Sequence, residues 1–178
     1  MPVSAPISKS TREPEPRIAL DPVAKAQAPV LRNLYQLYAH DFTEHVPFAI
    51  SQTGLFDVAP SEEWWTREGH APFFIRSSEE LAGFALVRRG SRVTADPEVM
   101  DVAEFFVLRG MRKKGVGVTA AHALFAAFPG RWEIRVRVTN VSAMVFWSRV
   151  VEGWTRRPAV PSPFSAGGID WQLYCIER

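Results

Sequence analysis

The residues best suited to chemistry form a short basic, glycine-containing run, RKKGVG, at positions 112–117. The run follows a segment rich in Val and Phe, 99–108, and precedes an alanine-rich one. Glycines at a strand-to-helix junction allow a tight turn, and the N-terminus of the helix directs N–H groups and its positive dipole toward one point. Such a junction suits a phosphate, although a tight turn with solvated lysines would have the same sequence. The spacing excludes a P-loop and lacks the complete GxGxxG of a dinucleotide-binding fingerprint.

Two carboxylates interrupt the apolar segment before this run, Asp101 and Glu104. Burial raises the pKa of a carboxyl group, so a buried carboxylate can accept a proton near neutral pH. We therefore predict that Glu104, three residues before Val107, is a general base, with Asp101 in reserve. The alternative for Glu104 is a solvent-facing strand carboxylate that pairs with Arg135 or Arg137.

The segments around these residues predict alternating helices and strands of an α/β domain. Apolar residues at steps of three and four predict helices, and period-two alternation predicts a strand at 132–138. A strand, an alanine-rich helix and a second strand predict a parallel crossover. The predicted order is a helix from 30 to about 45, a short helix from Ser61, a hairpin at 73–87, a strand at 99–108, a helix at 120–128, a strand at 132–138, a helix from 140 that Gly153 ends, a loop at 158–163 and a strand at 169–176.

Length and composition predict one folded domain with a short tail. The chain has 178 residues, of which 47% are hydrophobic, and its formal net charge is only +2. This balance is typical of a globular protein and disfavours a disordered chain or a basic nucleic-acid-binding module. Residues 1–27 contain several prolines and few large apolar side chains, so we predict a flexible N-terminal tail there and a folded domain at 28–178.

The single cysteine, Cys175, excludes an internal disulfide framework and favours a reducing compartment, so we expect the cytoplasm. No apolar run reaches the length that spans a bilayer, and the N-terminus lacks a signal-peptide pattern. The four histidines show no metal-ligand spacing, so we expect no metal site.

The segment from Val107 to Gly117 resembles the acetyl-CoA motif of the GNAT superfamily of N-acetyltransferases. In that motif a strand ending in Val precedes an Arg- or Gln-x-x-Gly-x-Gly/Ala turn and a helix. Residues 140–147, NVSAMVFW, resemble the superfamily's N-x-x-A-x-x-F-Y segment, and a glycine-aromatic pair follows at 153–154. The resemblance covers 30–176 as an order of elements, is sharp from about 101 to 154, and is closest to bacterial members described as predicted acetyltransferases.

The resemblance implies a GNAT-type acyl-CoA N-acyltransferase fold, a mixed central sheet flanked by helices, with acetyl-CoA as co-substrate. It implies that strand backbone pairs with the pantetheine arm, that amides of the turn hold the pyrophosphate, and that Asn140 contacts the pantetheine or the thiol end. The implied cofactor-binding residues are Phe105, Phe106, Val107, Arg112, Lys113, Lys114, Gly115, Val116, Gly117, Val118 and Asn140.

The resemblance also implies direct transfer of the acetyl group to a primary amine in a ternary complex, with Glu104 as the base. Backbone N–H groups near Val107 would polarise the thioester carbonyl. Trp147 departs from the pattern, because the family often places there a tyrosine that protonates the leaving thiolate, and an indole cannot act as an acid near neutral pH. Either water, Tyr38 or Tyr174 takes that role, or the chain is a non-catalytic CoA-binding domain.

The sequence does not identify the acceptor amine, which could belong to a small molecule or a protein. The residues expected to shape its pocket lie in the least patterned region, 46–70. We expect no nucleic-acid or membrane partner, and the sequence leaves the oligomeric state open, including a homodimer.

Overall fold

The computed structural model describes residues 16–177, which form a seven-stranded sheet in the order β1-β2-β3-β4-β5-β7-β6. Only β4 and β5 are parallel; every other neighbouring pair is antiparallel. This confirms the predicted mixed sheet and its crossover. The strands are β1 Ile18–Pro22, β2 His70–Ser77, β3 Glu80–Arg89, β4 Met100–Val107, β5 Trp132–Arg137, β6 Ser162–Ala166 and β7 Ile169–Ile176, and the α-helices are α1 Ala28–Phe42, α2 Glu63–Thr66, α3 Val116–Ala127 and α4 Val141–Thr155.

Helices cover the two faces of the sheet and create two main cores. On one face α3 and α4 pack over the centre, where the buried side chains of β5, Trp132, Ile134 and Val136, join them. On the other face α1 and α2 pack over β2 and β3, with Phe84 and Phe106 at the centre. The alternation along β5 is therefore as predicted, because only its apolar residues reach the α3–α4 core.

Strand β1 lies inside the range 1–27 that we predicted to be a flexible tail. It pairs antiparallel with β2, from Ile18 opposite Ser77 to Pro22 opposite Phe73, and Lys25–Gln27 form a 3-10 helix. The predicted tail is therefore wrong for residues 18–27, because an edge strand needs only a neighbour for its hydrogen bonds and Pro22 ends it without requiring a donor. Residues 1–15 of the predicted tail lie outside the described residues.

Two further sequence predictions are corrected near the C-terminus. Helix α4 passes Gly153 and ends at Thr155, with the left-handed residue at Arg156, whose φ is 59°. A Cβ on Gly153 would lie 3.2 Å from His122 Cε1 on α3, so this glycine allows close helix packing instead of ending the helix. Strand β6 begins within the predicted loop 158–163, because pairing with β7 tolerates a proline at a sheet edge.

None of the helices in residues 16–177 combines the length and the apolarity needed to cross a bilayer.

Candidate active site

An opening between the two parallel strands is the central feature of the site. Strands β4 and β5 pair from Met100 with Trp132 to Val102 with Ile134, and no further, although both strands continue. On the other side of β4, the register with β3 shifts at Ala103, which is a β-bulge. A bulge bends its strand, and this bulge follows directly after Val102, the last residue of β4 that pairs with β5.

The backbone groups of Phe105 and Val107 face this opening. Leu108 N donates to Ala82 O at 2.8 Å, so this position is a hydrogen-bonded one between the two chain segments that form β4 and β3. Hydrogen-bonded and non-hydrogen-bonded positions alternate along antiparallel strands. Phe106, two residues before Leu108, therefore also bonds β3, whereas the backbone N–H and C=O groups of Phe105 and Val107 point away from β3. Of the three strand residues expected to pair with the cofactor, Phe106 therefore contributes its side chain to the α1 core and no backbone group to the opening.

The turn before α3 presents free amides next to the opening. Gly115 has a φ of 81° and Lys113 a φ of 61°, so the chain reverses sharply before the helix begins. Thr119 N donates to Gly115 O at 3.0 Å, but among the described residues the amides from Lys113 to Val118 donate to no acceptor. Lys113 and Lys114 are exposed, and neither enters an ion pair within the described part of the chain. This arrangement can bind an anion such as a diphosphate.

The arginine of the turn has a structural role. Arg112 Nε donates to Val107 O at 2.7 Å, and its Nη2 donates to Asp41 Oδ2 at 2.5 Å. Arg109 Nε donates to the other carboxylate oxygen of Asp41 at 2.8 Å. Burial opposes the ionisation of Asp41, but the two guanidinium groups outweigh it and lower its pKa. Arg112 thus ties the turn to β4 and to the end of α1, which fixes the direction of the amides.

The other residues expected near the cofactor lie on α3. Val116 is 1% exposed and anchors the helix in the core, while Val118 is partly buried. A Cβ on Gly117 would lie 3.0 Å from Cε2 of Phe146, so the missing side chain lets that ring pack against α3. Phe146 also stacks on Phe105, with ring centroids 5.7 Å apart, at the wall of the opening.

Asn140 caps α4, because its Oδ1 accepts from Ala143 N at 3.0 Å. Trp147, in the next turns, is 5% exposed and packs in the core. Tyr174, one of the candidates for replacing the missing acid, directs its hydroxyl to Met144 O at 3.0 Å. The side chains of Trp147 and Tyr174 are therefore parts of the α4 packing.

Glu104 lies on the opposite face of β4, beneath two tyrosines of α1. Its carboxylate accepts from Tyr38 Oη at 2.5 Å and from Tyr35 Oη at 3.3 Å. Burial raises the pKa of Glu104, and the two tyrosine hydrogen bonds moderate that rise. Burial and the negative charge of Glu104 raise the pKa of both tyrosines, which remain protonated donors. A carboxylate with a raised pKa beside an opening is suited to accept a proton.

Asp101, the reserve base, is 0% exposed and is held by two guanidinium groups. Arg88 donates to its Oδ2 from Nη2 and Nε at 2.7 and 2.9 Å, and Arg135 Nη2 lies 3.3 Å from the same oxygen. Asp101 is therefore an ion-pair partner, and Arg135 is not the partner of Glu104. Sequence reasoning missed Tyr35 as a partner of Glu104, because its only signal was a position on the apolar face of the predicted first helix.

Residues 16–177 contain no cluster of three or more His, Cys, Asp or Glu side chains placed to hold a metal ion.

Comparison with known proteins relates this geometry to a family. The model of the family described as acetyltransferase (GNAT) matches residues 31–150. Among solved structures, an acetyltransferase from Thermus thermophilus is 16% identical with a TM-score of 0.65, covering 90% of this chain and 97% of that one. An aminoglycoside acetyltransferase in complex with coenzyme A and kanamycin is 11% identical with a TM-score of 0.67, covering 91% and 95%.

A third similar structure is a Bacillus subtilis acetyltransferase in complex with CoA, 13% identical with a TM-score of 0.52, covering 92% of this chain and 99% of that one. At these identities the likenesses show the fold alone, and they confirm the predicted GNAT-type fold. No curated protein matches the chain by sequence.

Proposed function

Because the chain belongs to the acetyltransferase (GNAT) family, we propose that it transfers the acetyl group of acetyl-CoA to a primary amine by direct attack in a ternary complex. The observation that carries this proposal is the opening between β4 and β5, whose free strand edge leads to the unpaired amides before α3. A strand edge and an anion site in that order match an extended amide-containing arm that ends in a diphosphate.

In the proposed complex, Phe105 pairs with the pantetheine arm through its backbone groups. Val107, whose carbonyl oxygen accepts from Arg112, contributes its N–H at the thioester end of the arm. The amides from Lys113 to Val118, which include those of Gly115, Val116 and Gly117, hold the diphosphate. The exposed charges of Lys113 and Lys114 add attraction for it. Arg112 acts by positioning the turn, and Asn140 contacts the pantetheine or its thiol end from the start of α4.

The chemical step requires a base and a donor for the developing oxyanion. Glu104 takes the proton of the acceptor amine, whose nitrogen attacks the thioester carbonyl carbon. The N–H of Val107, which faces the opening, donates to the carbonyl oxygen as it gains charge. The C–S bond then breaks, and the thiolate leaves and takes its proton from solvent, since Trp147 is not an acid and Tyr174 is directed into α4.

A second candidate function is CoA binding without turnover. It is favoured by Trp147, which occupies the position of the family's frequent tyrosine and is buried in the core. The exposed single thiol of Cys175 is compatible with either function in the cytoplasm, where we place the protein.

Release of CoA thiol from acetyl-CoA with a panel of primary amines separates the two candidates. We expect turnover in the wild type, and a fall in kcat of about 100-fold or more in Glu104→Gln, with unchanged affinity for acetyl-CoA. Glu98→Gln is the matched control, because Glu98 is an exposed carboxylate that pairs with Arg89. Equal turnover by Glu104→Gln and the wild type would refute the assigned base, and binding without turnover in the wild type would favour the second candidate.

A further inference from the structure

The face of the sheet that carries Glu104 continues across the opening onto β5. Since Trp132, Ile134 and Val136 point into the α3–α4 core, Arg135 and Arg137 lie on the opposite face, which is the face of Glu104. Arg137 is the last residue of β5 and lies three residues beyond Ile134, where pairing with β4 ends. It therefore stands on the far side of the opening, at about the level of the cofactor edge of β4.

Arg137 is a partly exposed cation that contacts an aromatic ring. Its guanidinium carbon lies 5.3 Å from the ring centroid of Trp171, its partner across the β5–β7 pair. The ion pairs formed within residues 16–177 do not include Arg137, whereas Arg135 on the same face is engaged by Asp101. Stacking of a guanidinium on an indole ring restricts its orientation and leaves its in-plane N–H donors available.

The side chains around Glu104 carry more positive charges than negative ones. Asp101 is shared between Arg88 and Arg135, which leaves a positive excess at that trio, and Arg137 adds another positive charge. Glu104, the other carboxylate described on this face, is already bonded to two tyrosines. Burial and the charge of Glu104 raise the pKa of Tyr38, and the charge of Arg137 opposes this rise, so Arg137 acts electrostatically on the same site.

We propose that Arg137 selects the acceptor, and that the acceptor is an amine that also bears a carboxylate. The amine reaches Glu104, and the carboxylate binds the guanidinium of Arg137, which lies over the Trp171 ring beside that of Arg135. A planar guanidinium fork matches a carboxylate geometrically and electrostatically. A polycationic amine would instead meet three guanidinium groups against the two carboxylates of Asp101 and Glu104. This inference rests on the proposed acetyl transfer and specifies its substrate class.

The test compares matched amines that differ in the carboxylate. Phenylalanine is paired with phenethylamine, and 4-aminobutyrate with butylamine, so that two spacings between amine and carboxylate are sampled; spermidine and kanamycin represent polycations. The value of kcat/KM is measured at saturating acetyl-CoA in the full chain. We expect the carboxylate-bearing member of at least one pair to be favoured by about tenfold or more over its counterpart and over both polycations.

Variants of the arginine assign the preference to it. Arg137→Gln should bring the ratio within each pair close to one, and Arg137→Lys should restore part of it. Arg149→Gln is the control, because Arg149 is an arginine on α4 that enters no ion pair within residues 16–177; it should leave the ratio unchanged. The inference is supported if the ratio of kcat/KM within each pair falls close to one in Arg137→Gln while the affinity for acetyl-CoA stays unchanged.

Equal use of both members of each pair, preference for a polycation, or a preference that survives Arg137→Gln would overturn it. If acetyl-CoA binds but no amine is acetylated, the proposed transfer fails separately. Saturation-transfer NMR on the CoA-saturated protein then compares binding of the same pairs. Stronger binding of the carboxylate member that depends on Arg137 supports acceptor selection, and equal binding refutes it.

Discussion

The hydrogen bond from Tyr38 to Glu104 leads to the sharpest prediction for the pH dependence of the reaction. Tyr38→Phe removes a hydroxyl that donates to the carboxylate at 2.5 Å, while its ring keeps its contacts with Phe84 and Phe106. A hydrogen bond to a charged group contributes about 1.5 to 3 kcal/mol, and one pKa unit corresponds to about 1.4 kcal/mol. The ionised form of Glu104 should therefore lose stabilisation of about 1.5 to 3 kcal/mol in this variant, which raises the pKa of Glu104 further.

The role of the Glu104 carboxylate decides the direction in which the pH profile moves. Glu104 accepts a proton only when ionised, so activity falls as the pH drops through its pKa. Losing a donor that stabilises the ionised form raises that pKa, and the acidic limb of kcat/KM moves to higher pH. Tyr35→Phe removes a longer bond, 3.3 Å, and should move the acidic limb in the same direction but by less than Tyr38→Phe does.

The assay is thiol release followed between about pH 5.5 and pH 9, with thermal melting to confirm that each variant folds. Tyr174→Phe is the matched control, because its hydroxyl bonds Met144 O on the other face of the sheet, and its acidic limb should match that of the wild type. An unshifted limb in Tyr38→Phe, or an equal shift in Tyr174→Phe, would refute the reasoning.

Three further substitutions test the scaffold and the site. Gly83→Ala would place a Cβ 1.9 Å from Phe106 O, so β3 and β4 must separate, and we expect melting to show a loss of about 2 to 4 kcal/mol. Gly115→Ala strains a residue with a φ of 81° by about 1 to 2 kcal/mol and misdirects the amides before α3, so calorimetry should show weaker binding of acetyl-CoA. Glu104→Gln should raise Tm at neutral pH while lowering turnover. Folding raises the pKa of the Glu104 carboxyl. Its ionisation therefore costs stability as the pH rises from the pKa that Glu104 has in the unfolded chain through the pKa that it has in the folded one. At pH values below the pKa that Glu104 has in the unfolded chain, the gain in Tm should vanish.

Matched glycines serve as controls for the first two substitutions. A Cβ on Gly110 would meet nothing within 4 Å, so Gly110→Ala should melt close to the wild type. Gly54 has a φ of 78° and equally open surroundings, so Gly54→Ala should lose stability without losing affinity for acetyl-CoA. A Gly83→Ala protein as stable as Gly110→Ala, or equal affinities in Gly54→Ala and Gly115→Ala, would contradict the structural reasons given.

Local patterns were sufficient to predict the framework of the site. The alternation from Trp132 onward reflects a strand buried on one face, and the alanine-rich segment before Pro129 has no competing strand pattern. Gly115 stands where a strand meets a helix, and only a residue that tolerates a positive φ suits that turn. The crossover β4–α3–β5 and the position of the candidate anion site followed from these signals.

Features that depend on tertiary contacts were missed. Strand β1 has five residues, which is too short to show a pattern, and it lies in a proline-rich part of the sequence. It becomes a strand because β2 offers an edge. In the sequence Gly153 resembles the end of a helix. In the structure a glycine is needed there because the His122 ring of another helix packs against it. The tyrosines that hold Glu104 lie more than sixty residues before it along the chain. No spacing rule connects groups that meet only when α1 packs on the sheet.

The most direct test of the account is a calorimetric comparison of acetyl-CoA with acetyl-pantetheine, which lacks the diphosphate, on the full chain. If the amides between Lys113 and Val118 hold the diphosphate, acetyl-CoA should bind with saturable heat and acetyl-pantetheine far more weakly. No saturable heat with acetyl-CoA at millimolar concentration, or equal affinity for the two compounds, would contradict the claim.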